Sequence, residues 1–80
     1  MLKGIDISHH NTDAAIKRAL LDSQFCIMKA SEGATHNDKM LVRNWRLCDE
    51  AKIELRGLYH YARPENNEPY TEAANFCGAI

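Results

Sequence analysis

Apolar and polar residues follow two rhythms along this chain, and the rhythms take turns. Residues 3–8 (KGIDIS) put Ile5 and Ile7 on one side of a short β-branched run, the period of a strand. Residues 12–21 (TDAAIKRALL) move the apolar positions to 15, 16, 19 and 20, a helical stripe, with Thr12 as N-cap. Residues 24–30 (QFCIMKA) are a continuous apolar run between polar residues, as in a strand buried on both faces. Helical spacing returns over 38–53, where Leu41, Trp45, Cys48 and Ala51 or Lys52 share a face predicted to pack, behind Asp38 as N-cap. A third strand is predicted over 54–62 (ELRGLYHYA). A last helix is predicted over 69–80, opened by Pro69 at its first position, with Ala73, Phe76, Cys77 and Ile80 as its stripe.

The order β-α-β-α-β-α predicts an α/β fold: parallel strands paired first-second-third, right-handed crossovers and helices packed outside. With three βα units this is a partial (β/α) barrel, a truncated TIM-like barrel. Such a sheet leaves two edges and one face open, more than a chain of 80 residues can tolerate as a complete domain. Residues 1–80 are therefore expected to be the N-terminal part of a larger barrel or sheet, incomplete at the C-terminus.

Composition narrows the function classes. The chain is 45% hydrophobic and 26% charged, which places it among globular rather than disordered chains. No apolar run approaches the ~20 residues of a membrane helix, and a net charge of −1 supplies no basic face. Neither a membrane nor nucleic acid is expected as a partner. Cys26, Cys48 and Cys77 are odd in number and form no CxxC, so they read as reduced thiols. The N-terminus has no charged-then-apolar leader, so synthesis in a cytoplasm without a signal peptide is expected. The first turn, SHHNTD (8–13), has no glycine, which argues against a dinucleotide-binding domain.

Parallel α/β proteins build their sites beyond the C-terminal ends of the strands. Those ends carry Asp6, Ser8, His9 and His10; then Lys29, Ser31, Glu32 and Gly33; then Tyr59, His60, Tyr61 and Arg63. The opposite turns, 22–24 and 53–55, carry nothing concerted. Asp6 lies in an apolar run and costs several kcal/mol to bury unpaired; pairing with Lys29 or capping a loop is an alternative to a site role. Glu32 alone could be a solvated loop acid. Together the two suggest a carboxylate pair on one open side, within about 10 Å given the spacing of neighbouring strands. Tyr59 and Tyr61 share strand parity with Gly57, and aromatic faces with polar tips suit sugar rings. His9 and His10 are adjacent and expected to diverge, and HxxxH and HExxH are absent, so no metal site and no cofactor are expected.

KGIDISHHN (3–11), FCIMKASEG (25–33) and GLYHYARP (57–64), in this order and spacing, resemble the glycoside hydrolase family 25 lysozymes, over essentially the whole chain. The resemblance implies an irregular β/α barrel that cleaves the β-1,4 bond between N-acetylmuramic acid and N-acetylglucosamine in peptidoglycan, by carboxylate acid catalysis. It implies that Asp6 is an active-site acid and that Glu32, Lys29, Tyr59 and Tyr61 bind substrate. The partners implied are peptidoglycan glycan strands, reached at the bacterial cell wall after release. The family's catalytic glutamate lies in a D-x-E motif on a fourth strand, and this chain contains no D-x-E. The tryptophan common near the family's first helix is also absent. The 80-residue chain alone is thus expected to be inactive, and the alternative is a truncated, non-catalytic wall-binding relative.

Overall fold

The computed structural model describes residues 2–80. Its elements are β1 (Gly4–Ile7), α1 (Asp13–Leu20), β2 (Phe25–Glu32), β3 (His36–Asn37), α2 (Leu41–Glu50), β4 (Leu55–Tyr61) and α3 (Pro69–Ala79). β1 and β4 flank β2, and both run parallel to it. The three expected strands therefore pair in the expected order within a mixed α/β fold. β3 is an addition: it pairs antiparallel with the end of β2, Ser31 opposite Asn37 and Glu32 opposite His36. Two residues are too few to leave a periodic signature. The turn into β3 passes through Gly33 at φ 61°, a left-handed conformation that glycine adopts without penalty.

The core lies on one face of the sheet. Ile7, Cys26 and Met28 meet Ile16 and Leu20 of α1 and Leu47 and Cys48 of α2, with Ile53 closing the end. Each fully buried aliphatic side chain here contributes roughly 1.5–3 kcal/mol. Ile16 and Leu20 face this core because Thr12 starts α1 in the right phase, its hydroxyl accepting from the Ala15 N–H at 3.2 Å. The other face of the sheet is open: Asp6 is exposed and Ile27 is 38% exposed. Phe25 lies on that face against Gly4, where a Cβ would sit 2.2 Å from the ring, so no larger residue fits without moving it. Along β4, Leu55 and Tyr61 are also exposed.

Two helix faces differ from the sequence expectation. In α2 the N-cap is Met40, which makes no side-chain cap bond; Asp38 stands two residues earlier. The buried face carries Asn44, Leu47 and Cys48, whereas Trp45 is 45% exposed with the Arg56 guanidinium 4.8 Å from its ring centroid. That cation from β4 gives the indole a favourable contact at the surface, so burial is not required. In α3, Pro69 does occupy the first turn, but Ala73, Cys77 and Ile80 are exposed and Glu72 is the buried residue. A hydrophobic stripe could not reveal this, because the partner that draws Glu72 inward is His60 on β4.

α2 ends in a Schellman arrangement. The Ile53 N–H reaches the Cys48 carbonyl at 2.9 Å and the Lys52 N–H reaches Asp49 at 3.1 Å. Lys52 takes φ 60°, the position where glycine is usual.

Candidate active site

β1 places Asp6 level with Ile27 of β2, which is itself level with Gly57 of β4. Strand alternation sends Ile5 and Ile7 to the helix-packed face and Asp6 to the open face. Asp6 is exposed and has no ion-pair or hydrogen-bond partner among the described residues, so it is neither a buried aspartate nor the partner of Lys29. Two residues further along, Tyr59 stands level with Lys29. Burial pushes the Tyr59 phenol up, and the negative charges of Asp6, Asp38 and Glu32 push it further. One half-buried phenol thus feels the negative charge of three carboxylates from three different segments.

Glu32 stands level with Tyr61, beyond a bulge between Lys29 and Ser31. Its backbone lies five residues past that of Ile27, roughly 15 Å along the strand at ~3.3 Å per residue. The sequence expectation counted only the spacing between strands and ignored this offset along them. The Glu32 carboxylate is clamped on both oxygens. The Lys29 ammonium, almost fully buried, pairs with Oε1. Arg63 donates to Oε2 from Nε at 2.8 Å and from Nη2 at 2.5 Å. These bonds, Lys29 first and then Arg63, hold the Glu32 carboxyl down at about 2. It is ionised at neutral pH and cannot deliver a proton there. The two cations also flank the exposed Tyr61 ring, Lys29 at 5.3 Å and Arg63 at 5.4 Å from its centroid.

Asp38 ties two strand-end loops together. Its carboxylate accepts from the His9 N–H at 2.9 Å and the His9 ring at 3.2 Å, both on Oδ2, and from the Met40 N–H at 2.8 Å. Burial alone would raise this acid, but the Met40 and His9 bonds outweigh it and hold the carboxyl below its ordinary value. Arg43 of α2 braces the same loop, donating to the carbonyls of Asn11 at 2.8 Å and Ser8 at 3.4 Å and to Asp13 at 3.0 Å. The rings of His9 and His10 do not diverge: their centroids are 3.9 Å apart, because the two residues sit in a turn rather than an extended strand. Among the described residues no group of three or more His, Cys, Asp or Glu side chains could hold a metal ion.

Behind the open face, Ser31, His60 and Glu72 form a chain of hydrogen bonds, 2.8 Å on each side of the imidazole. Ser31 is fully buried, so this is a brace between β2, β4 and α3 and not a nucleophile. Sequence reasoning missed Asp38, Arg43 and Glu72 as organisers of the strand ends, and gave Arg63 no role. Their distant partners lie 9 to 35 residues away, and no local pattern records such pairings.

The family model for glycosyl hydrolases family 25 matches residues 5–80. The chain belongs to glycosyl hydrolases family 25. Lysozyme M1 of Streptomyces globisporus is 32% identical over 78 residues, covering 94% of this chain and 26% of that protein. A family GH25 lysozyme structure from Aspergillus fumigatus superposes with a TM-score of 0.83 at 35% identity, over 96% of this chain and 37% of that one. A muramidase from Trichobolus zukalii gives 0.82 at 30% identity, over 98% and 38%. The chain therefore spans about a quarter of the curated relative and somewhat over a third of the solved ones. These family 25 relatives share the fold that brings Asp6, Tyr59, Lys29 and Glu32 to one side of one sheet.

Proposed function

We propose that this chain is the N-terminal part of a family 25 catalytic domain, three units of a (β/α) barrel. In the whole domain it helps cleave the β-1,4 bond between N-acetylmuramic acid and N-acetylglucosamine in peptidoglycan. The observation that carries this reading is Asp6: an exposed carboxylate at a strand end, unpaired among the described residues, on the open face it shares with Tyr59. Glycoside hydrolysis uses one acid to protonate the departing oxygen and a second group across the scissile bond. Asp6 is proposed as one of that pair. Glu32, locked as an anion by Lys29 and Arg63, suits substrate binding and electrostatic support instead. Tyr59 and Tyr61 offer faces for sugar rings.

The proton donor has no counterpart here, since the sequence contains no D-x-E. General acid assistance is typically worth 10²–10⁴-fold, so the 80-residue chain alone is expected to leave cell walls intact. A chain extended through a D-x-E strand is expected to clear purified walls and release muramic acid reducing ends. In it, Asp6→Asn should cut turnover strongly while the fold stays intact, and Glu32→Gln should do less to turnover or act mainly on binding. Wall lysis by the 80-residue chain at a rate near that of a full-length relative would overturn this reading. An extended chain that binds walls without cutting them favours a wall-binding relative, the reading suggested by the missing motif.

A further inference from the structure

We propose that Arg63 is a specificity-determining residue that receives a carboxylate carried on the glycan, such as the lactyl group that distinguishes a muramic ring from a glucosamine ring; this rests on the peptidoglycan reading above. Arg63 is held at both ends. Its backbone N–H donates to both oxygens of the buried Glu72 carboxylate, at 3.0 and 3.2 Å, and its carbonyl accepts from Asn67 at 3.2 Å. Glu72 is itself fixed by His60. At the other end, Nε and Nη2 both go to a single oxygen of Glu32. Nη1 has no partner among the described residues, and the side chain is 51% exposed. The result is a guanidinium fixed in place with unused donors turned partly to solvent, beside an exposed tyrosine ring.

Neutralising Glu32 does not account for this arrangement, because Lys29 already pairs with its other oxygen. Two cations share the Glu32 carboxylate, and Glu72 bonds the Arg63 backbone N–H rather than its guanidinium, so Nη1 keeps its donors free among the described residues. An incoming carboxylate can take the free N–H groups of Nη1 in charge-assisted bonds. A neutral hydroxyl gains much less from the same donors. Because the guanidinium is already held, little ordering cost opposes binding. The adjacent Tyr61 face can take the ring that carries the acid.

The test uses the 80-residue chain and three probes: a neutral N-acetylglucosamine tetramer, a tetramer alternating N-acetylglucosamine with N-acetylmuramic acid, and the same alternating tetramer with its carboxylates reduced to alcohols. Binding is followed by NMR titration. The wild-type chain is expected to prefer the acid form over its reduced form by about tenfold, as one charge-assisted contact would give, and the preference should shrink with added salt. Arg63→Gln should abolish the preference, so that acid and reduced forms bind equally. Arg63→Lys should retain part of it, since the charge stays and the fork is lost. Amide spectra of each variant report whether the fold survives, and Arg63→Lys with the salt series keeps the test decisive if Arg63→Gln unfolds. Equal binding of acid and reduced forms by the wild type refutes this inference alone. So does a preference that survives Arg63→Gln, or one insensitive to salt. Failure of the 80-residue chain to bind any of the three probes refutes this inference, whereas the peptidoglycan reading stands or falls with wall clearing by the extended chain.

Discussion

Replacing Glu32 by glutamine is expected to destabilise the fold by about 2–3 kcal/mol, although the residue lies at the rim of the sheet. The Glu32 carboxyl falls from an ordinary 4.5 to about 2. At 1.36 kcal/mol per pH unit, that difference corresponds to about 3 kcal/mol of preference for the ionised form in the folded state. Arg63 is half-exposed, so water and salt screen its share. That lowers the expected value to about 2 kcal/mol. Against this, the Lys29 side chain is only 5% exposed and would lose its charged partner, a penalty seen whenever one member of a buried pair is removed. Urea unfolding is the assay. With a slope of about 1 kcal/mol per molar for a chain this small, the midpoint should fall by roughly 2–3 M. Adding Lys29→Met should recover part of the loss, because the stranded ammonium is removed with it; a coupling of about 1–2 kcal/mol is expected. The pH dependence has a definite sign. Since the folded value is depressed, this contribution is fully present above pH 4.5 and is lost as pH falls towards about 2. Asp38 and Glu72 are held low as well, so the diagnostic quantity is the wild-type stability minus that of Glu32→Gln. That difference should shrink through the acid window. A Glu32→Gln variant within about 0.5 kcal/mol of wild type, or a difference that stays constant from pH 5 to pH 2, would refute the reasoning.

Lys52→Gly should stabilise the chain by about 0.5–1 kcal/mol in the same urea assay, since a left-handed residue with a Cβ is strained where glycine is not. Thiol labelling of the native chain should modify Cys77, which is exposed, and spare Cys26 and Cys48, which are buried. Burial first, and the neighbouring Cys48 next, push the Cys26 thiol up to about 12, so it stays protonated and unreactive while the core is closed. All three thiols should react in denaturant.

Strand and helix order was legible because periodicity is local. Ile5 and Ile7 differ from Asp6 by one step of a strand, and Ile16 and Leu20 by one turn of a helix, so burial follows from spacing alone. The parallel order of β1, β2 and β4 followed from the helices between them, which leave no short path to an antiparallel pair. The strand-end position of Asp6, Lys29, Glu32, Tyr59 and Tyr61 followed from the same argument. What each of these residues meets did not. Glu32 became a fixed anion because Lys29 and Arg63, the latter in the loop after β4, close on it, and Trp45 stayed at the surface because Arg56 lies against it. Glu72 turned inward, against its helix's apolar stripe, to reach His60. Hydrophobic spacing is set by neighbours three or four residues apart and is written in the sequence. Charge pairing is set by partners that meet only after the chain has crossed the sheet and returned, so tertiary structure decided which acid stays free and which is bound.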